Sequence, residues 1–199
     1  IEKIQKTPKI NQLPIHNHRL STANYQRSIK NLNSQTIKLL AIGASTGGPQ
    51  ALHAIISQLP ANLPVPVICV QHISEGFLQG LVDWLGFESK LPVKIAAFGE
   101  FPQAGTIYFP PEKRHLELDS QGRFIYSKAP PLAGHRPSVT ITFKSVANFY
   151  GPGAVGILLT GMGRDGAEGM QAIALGAAQH VLPLSAIALL LLAQLNIKP

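Results

Sequence analysis

The sequence predicts an α/β protein: a three-layer α/β/α sandwich with a mostly parallel, doubly wound sheet. Short apolar runs typical of buried strands alternate with segments of helical spacing along most of the chain. The clearest case is an apolar run at residues 37–42, a glycine loop at 43–48, a helix, and a second apolar run at 64–70. Two strands joined through a helix in this way lie parallel, with a right-handed crossover.

The other elements follow in chain order. The first helix begins near Pro49, because the first turn of a helix tolerates proline, and the apolar residues of 50–59 recur at helical spacing. We expect further helices at 77–85, at 138–149 and from about Ala167. Shorter strands or hairpins are expected at 93–97, 105–109, 115–118 and 124–127. The clearest late strand is predicted at 154–160, followed by a glycine-rich loop at 161–166.

Positive charge is concentrated at the start of the chain. The formal net charge of the 199 residues is +7, but residues 1–36 hold six Lys/Arg and one acid, whereas residues 37–199 hold eleven and nine. Residues 1–36 also lack hydrophobic periodicity, so we predict a flexible basic linker or extension there. Residues 37–199 form the predicted domain, and its nearly neutral charge disfavours nucleic acid as a partner.

Cys69 and the apolar stretch at 186–193 bear on location. A single cysteine forms no internal disulfide, and its apolar surroundings predict a buried thiol in a reducing compartment. The apolar stretch is shorter than the ~20 residues of a membrane span, so no membrane insertion is predicted. No secretory signal precedes the domain, and the cytoplasm is the expected location. The histidines have no metal-ligand spacing, so no metal is predicted.

Ser45 lies at the centre of residues 43–47 (GASTG), a G-x-S-x-G motif between a predicted strand and a predicted helix. A serine on such a sharp turn presents its hydroxyl above the sheet, and the following helix adds N–H donors for an oxyanion. A phosphate- or nucleotide-binding glycine loop is the alternative. The loop has neither the Lys-Ser/Thr of a P-loop nor a G-x-G-x-x-G pattern.

His72 and Asp165 also follow predicted strands. Because parallel strands end at one edge of a sheet, His72 is expected within side-chain reach of Ser45, where it could activate the hydroxyl. Asp165 could then hold the other imidazole nitrogen. The alternatives are a surface or capping role for His72, and an N-cap role for Asp165 on the helix that begins at Ala167. The order Ser, His, Asp differs from the Ser, Asp, His order of α/β-hydrolases.

Three other sets of basic residues are weaker candidates. His53 lies on the first predicted helix and is expected to be half-exposed. The pairs Arg114-His115 and His135-Arg136 either line a cleft that attracts an acidic substrate or are surface charge.

At these residues the sequence resembles the catalytic domain of the chemotaxis protein-glutamate methylesterase (CheB) family, from about residue 37 to residue 192. The segments that carry the resemblance are IGASTGGP at 42–49, VQHI at 70–73, FPP at 109–111, RHL at 114–116, HRPSV at 135–139 and LLTGMGRDGA at 158–167.

This resemblance implies a serine esterase that acts on glutamate γ-methyl esters of methyl-accepting chemotaxis receptors, deamidates certain glutamines and needs no cofactor. By position it makes Ser45 the nucleophile, His72 the general base and then acid, and Asp165 the orienting carboxylate. Thr46 and Met162 would line the site near the oxyanion. Family members often carry a regulatory receiver domain on a linker, and residues 1–36 are predicted to correspond to that linker.

Two departures from the family pattern stand out. Thr140 occupies a position where the family usually has an acid. The family usually has a further strand and a Gly-Met-Pro loop after the helix that follows the aspartate, and roughly two dozen such residues do not appear between Ile173 and Ala174. They are either deleted from this protein or left out of this sequence, and a true deletion would expose an edge of the sheet. A non-catalytic module that binds receptors or signalling partners is therefore the alternative function, and a nucleotide-binding protein is a third.

Overall fold

The computed structural model describes residues 37–159 and 163–176. Its strands are β1 (Leu39–Ala44), β2 (Val67–Gln71), β3 (Val93–Ile95), β4 (Ile107–Phe109), β5 (His115–Leu118), β6 (Phe124–Ser127) and β7 (Ala154–Leu158). Its helices are α1 (Gly48–Ile56), α2 (Leu78–Glu88), α3 (Val139–Tyr150) and α4 (Ala167–Gly176). The linker predicted at 1–36 and the apolar stretch at 186–193 lie outside the described residues.

Five strands form one sheet in the order β3-β4-β2-β1-β7, and every neighbouring pair in it is parallel. From β1 the chain moves out to one side through β2 and later returns to the other side as β7, so the sheet is doubly wound. Strands β5 and β6 form a separate antiparallel hairpin. The predicted fold class is confirmed.

The alternation of side chains along β1 between the two faces of the sheet explains the three layers. All six residues of this strand are buried, and successive side chains point to opposite faces of the sheet. Leu40 and Ile42 share one core with Leu52 of α1 and with the apolar side of α2. Leu39 packs in the second core, with Phe143 of α3 and with residues of the β5–β6 hairpin. Helices therefore cover both faces, as a parallel sheet requires.

The sheet order brings three carboxyl ends together. Gly43 of β1 pairs with Val70 of β2 on one side and with Leu158 of β7 on the other. The loops after β1, β2 and β7 consequently leave the sheet side by side, at the point where the winding reverses. Open α/β sheets place their binding sites at this position.

Strand β7 is an edge of the sheet within the described part of the chain, because β1 is its one strand partner there. Helix α4 covers one face of β7: a Cβ on Gly156 would lie 2.8 Å from the Met170 sulfur and 2.9 Å from Ile173. Close helix–strand packing is thus present at this edge of the described sheet.

Element boundaries differ from the predicted ones by a few residues. The strand predicted at 64–70 begins at Val67, since Pro64 and Pro66 have no N–H to donate to a neighbouring strand. Cys69 is buried and unpaired, as predicted. In the two described stretches, no helix has the length and apolar character needed to cross a membrane.

Candidate active site

Ser45 lies on a tight turn between β1 and α1. The Gly48 N–H donates to the Ser45 carbonyl oxygen at 2.7 Å, and Gly47 has a φ of 75°, a left-handed conformation that favours glycine. Helix α1 then begins at Gly48, with Pro49 in its first turn. Ser45 is partly exposed. This strand–turn–helix arrangement is the context that the G-x-S-x-G motif requires.

His72 leaves the neighbouring strand at the same level. Ala44 is the last residue of β1 and pairs with Gln71, and the His72 N–H donates to the Ala44 carbonyl at 3.0 Å. Ser45 and His72 are therefore the first residues beyond the ends of two adjacent parallel strands. The His72 side chain is 11% exposed, so the imidazole is largely enclosed.

Asp165 reaches this site from the loop after β7, and its side chain is only 1% exposed. His72 Nε2 lies 2.8 Å from Asp165 Oδ2, which also accepts the backbone N–H of Val139 at 2.8 Å. Oδ1 accepts the Ser138 hydroxyl at 2.7 Å and the Thr140 N–H at 3.0 Å. The two backbone donors belong to the first turn of α3, so the carboxylate sits at the positive end of this helix.

These hydrogen bonds determine the charge of Asp165. Burial alone raises the pKa of this carboxyl, but the hydrogen bonds from His72, Thr140 and Ser138 outweigh it and hold the pKa well below its ordinary value of 3.8. The group is therefore a carboxylate at neutral pH.

An ionised Asp165 fixes the tautomer of neutral His72. A carboxylate only accepts hydrogen bonds, so the proton of the neutral ring lies on Nε2, and Nδ1 keeps its lone pair. Nδ1 is buried and has no hydrogen-bond partner among the described residues. The atom available to take a proton from a neighbouring hydroxyl is therefore Nδ1.

His135 covers one face of this imidazole. The rings of His72 and His135 stack with centroids 3.6 Å apart and planes 4° from parallel. Backbone hydrogen bonds between Leu132 and His135 hold the segment in place. Burial lowers the pKa of His135, and nearby His72 lowers it further, against the opposing effect of Asp165. A neutral ring therefore lies against the candidate base.

The other basic candidates differ in burial and in their distance from the site. Arg136 lines a cavity of about 150 Å³ beside the site. His115, in contrast, is fully buried, and its Nδ1 accepts the Ser138 N–H at 3.2 Å, so it is neither surface charge nor part of a cleft. His53 is half-exposed on α1, as expected, and stacks on Trp84 with centroids 5.0 Å apart.

The two predicted site-lining residues differ in what is known of them. Thr46 is exposed on the turn directly after Ser45. Met162 lies outside the described residues.

Within 37–159 and 163–176, no group of three or more His, Cys, Asp or Glu side chains is arranged to hold a metal ion.

Sequence reasoning missed the residues that hold Asp165. The alternative for this residue was an N-cap of the helix at Ala167, whereas its carboxylate binds the N-terminus of α3 instead. Ser138 is the N-cap of α3 and also donates to Asp165, and the Pro137-Ser138 pair before a helical pattern was the available signal. The Thr140 hydroxyl accepts the Gly166 N–H at 2.7 Å, so Thr140 ties the aspartate loop to α3.

Fold and site together define a doubly wound α/β domain that carries a serine turn and a buried histidine–aspartate pair at its switch point. Residues 40–182 match the CheB methylesterase family, and the chain belongs to it. A solved structure, the catalytic domain of Thermotoga maritima CheB methylesterase, superposes with a TM-score of 0.69 at 36% identity, covering 72% of this chain and 77% of that one.

Two curated relatives are named protein-glutamate methylesterase/protein-glutamine glutaminase. The Nitrosospira multiformis protein is 43% identical over 176 residues, covering 76% of this chain and 50% of the relative. The Myxococcus xanthus protein (number 4) is 49% identical over 133 residues, covering 67% and 38%. The chain thus spans half or less of the length of these relatives.

The first of these alignments also bears on the missing segment. Because 76% of 199 residues is about 151, the 176 aligned positions include about 25 in which the Nitrosospira multiformis protein has residues and this chain has none. This length agrees with the roughly two dozen residues missing from the family pattern.

Proposed function

We propose that this domain is a serine esterase that hydrolyses glutamate γ-methyl esters, and deamidates certain glutamines, on methyl-accepting chemotaxis receptors. The names of the relatives support the two activities, and the family resemblance supports the receptor substrate. The observation that carries the proposal is the 2.8 Å hydrogen bond between His72 Nε2 and Asp165, at the edge where β1 presents Ser45. Cytoplasmic receptor segments are the proposed target, in keeping with the free, buried thiol of Cys69.

In the acylation step, the Ser45 hydroxyl oxygen attacks the ester carbonyl carbon and its proton passes to His72 Nδ1. The resulting imidazolium is stabilised by Asp165, whose carboxylate is hydrogen-bonded to the opposite nitrogen, Nε2. The tetrahedral intermediate collapses when the bond to the methoxy oxygen breaks, and this oxygen leaves as methanol with the proton from Nδ1. The product is an acyl-enzyme on Ser45.

Deacylation repeats the sequence with water as the nucleophile. Water gives its proton to His72 Nδ1, the bond to the Ser45 oxygen breaks, and this oxygen recovers the proton. The glutamate carboxyl is released and the enzyme is restored. A glutamine substrate follows the same course, with ammonia in place of methanol. Thr46 and Met162 are the proposed lining residues near the oxyanion, a role that rests on the family resemblance.

Labelling with a fluorophosphonate tests the nucleophile. We expect one adduct by intact mass, mapped to Ser45, and loss of both labelling and methanol release in Ser45→Ala and His72→Ala. His53→Ala is the matched control, because His53 is half-exposed on α1 and contacts Trp84 and Glu88 rather than the site. Unchanged hydrolysis of receptor methyl esters by Ser45→Ala would refute the proposal.

A non-catalytic binding module is the second candidate, and the roughly 25 missing positions favour it. A folded chain that binds a receptor segment, forms no adduct and releases no methanol would select this function. We further propose, from the resemblance alone, that residues 1–36 are the linker to a regulatory receiver domain.

A further inference from the structure

One buried amide connects the two residues that the proposed mechanism brings together. Gln71 is the last residue of β2 and is only 3% exposed. Its side-chain Nε2 donates to the carbonyl oxygen of Ser45 at 2.9 Å and to that of His72 at 2.7 Å. The strand pairing of β1 with β2 ends at Ala44 and Gln71, so this amide extends the connection one residue further.

The hydrogen-bond pattern fixes the orientation of the amide. Two carbonyl oxygens both need a donor, so the nitrogen of Gln71 faces them and Oε1 points the other way. Oε1 is buried there without a hydrogen-bond partner among the described residues. A buried acceptor without a partner destabilises a fold, so a residue kept in this state requires an explanation.

Gly48 leaves the space that this amide occupies. A Cβ at this position would lie 1.8 Å from Gln71 Oε1, so a side chain at 48 and the observed amide exclude each other. The Gly48 N–H already donates to the Ser45 carbonyl. The first residue of α1 and the last residue of β2 thus hold the same carbonyl oxygen from two directions.

We propose that Gln71 is a positioning residue, which holds the backbone of Ser45 and His72 in the relation that proton transfer to Nδ1 requires. The inference rests on the proposed function. Gln71 acts through these two carbonyls and does not touch the reacting atoms. A change that removes the donor therefore affects the chemical step and leaves substrate affinity nearly unchanged.

Two substitutions at 71 test the role of the donor. Gln71→Met keeps the length of the side chain without a donor, and Gln71→Glu keeps its shape with an acceptor in place of the donor. We expect kcat and the rate of fluorophosphonate labelling to fall together by about 100-fold, since displacements near 1 Å cost that much, with KM within about threefold of native. Gln58→Met is the matched control, because the Gln58 amide also donates to a backbone carbonyl, Ala54 at 2.9 Å, on the exposed side of α1.

A double-mutant cycle provides a second route that does not depend on those variants being stable. Gly48→Ala displaces the amide while Gln71 is still present, so it is expected to lower the labelling rate like Gln71→Met. In the Gln71→Ala background, Gly48→Ala is expected to have a much smaller effect, because the contact with the amide is gone and only the contact of the new Cβ with Ala44, at 2.9 Å, is left. The melting temperature confirms that each variant is folded at the assay temperature.

The outcomes separate this inference from the proposed function. If the native chain labels on Ser45 and folded variants at 71 and 48 label at the native rate, the positioning role is wrong and the esterase proposal stands. Additive effects in the cycle, or a rise in KM with kcat unchanged, also overturn it. If the native chain neither labels nor hydrolyses esters, the proposed function fails, and the positioning role fails with it.

Discussion

Replacing Asp165 with Asn tests the site most directly, because the two side chains have the same shape. The carboxylate accepts two hydrogen bonds on each oxygen, and the amide keeps only one accepting oxygen. If the NH2 group of the asparagine takes the position of Oδ1, the Ser138 hydroxyl can turn to accept a hydrogen bond from it, but the Thr140 N–H loses its acceptor. If the NH2 group takes the position of Oδ2, the Val139 N–H loses its acceptor, and His72 Nε2 can accept a hydrogen bond only when the ring proton moves to Nδ1.

Both orientations therefore leave one buried backbone N–H without a partner and remove a charge from the N-terminus of α3. An unpaired buried N–H costs about 1–3 kcal/mol and a lost helix-terminus charge about 0.3–1 kcal/mol, so we expect Asp165→Asn to lower the free energy of unfolding by about 2–3 kcal/mol. We expect kcat to fall by about 10³–10⁴-fold, because the base is either in the wrong tautomer or without its counter-charge.

The stability effect has a defined pH dependence. The pKa of Asp165 is lower in the folded chain than its ordinary value of 3.8, so its ionisation stabilises the fold fully above about pH 5. As the pH falls below this range, the unfolded chain takes up the proton first and the stabilisation is lost. The difference in unfolding free energy between native protein and Asp165→Asn is therefore expected to shrink between about pH 5 and about pH 3.

Urea unfolding at several pH values and methanol release at neutral pH are the assays. Glu168→Gln is the control: this exposed acid pairs with Lys144 on α3, and its loss is expected to leave activity unchanged. An Asp165→Asn protein with kcat within tenfold of native would refute the role of the carboxylate. A stability difference that grows towards low pH would refute the assigned ionisation state.

Three further predictions concern neighbours of the site and the core. Ser138→Ala removes the N-cap of α3 and a donor to Asp165, so we expect a stability loss of about 2 kcal/mol in urea unfolding. His135→Leu removes the ring stacked on His72 and should lower kcat, because the imidazole loses the neighbour that fixes its plane beside Asp165. Burial raises the pKa of the Cys69 thiol above its ordinary 9.0, so iodoacetamide should modify native protein no faster than it unfolds.

Each of these has a contrary result. Native stability in Ser138→Ala would mean that the capping hydroxyl is replaceable. A His135→Leu protein with unchanged kcat would make the stacked ring a packing feature alone. Rapid modification of Cys69 in native protein at neutral pH would show that the second strand opens far more often than its full burial implies.

Local sequence signals were enough to predict the edge where the site lies. The β1–α1 turn follows from the GASTG motif with Pro49 behind it, and a βαβ unit dictates parallel strands whatever else the chain does. Once β1 and β2 are parallel neighbours, Ser45 and His72 are adjacent by topology. Which imidazole nitrogen bonds to Asp165 does not follow from the sequence; in the structure it is Nε2, which leaves Nδ1 for the proposed role as base.

What supports the site could not be predicted in the same way, because it depends on contacts between distant segments. A capping signal tells that Asp165 is near a helix N-terminus but not which helix, and the one it binds begins 26 residues earlier in the chain. The Arg114-His115 pair is polar in sequence, yet His115 is fully buried, since Ser138 and Pro130 provide partners for both ring nitrogens once the hairpin packs on α3.

The position of the missing segment decides which property it affects. Within the described part of the chain, the hydrogen-bond partners of Asp165 all precede Ile173, and α4 packs closely on Gly156 of β7. The hydrogen bonds that prepare His72 therefore do not depend on the missing residues. Among the described residues, strand β7 is an edge of the sheet, so a further strand there would add to its pairing. Labelling by a small fluorophosphonate reports on the hydrogen bonds that prepare His72, whereas hydrolysis of a receptor segment also depends on the rim of the site. Differences from longer relatives should therefore lie in stability and KM rather than in the labelling of Ser45.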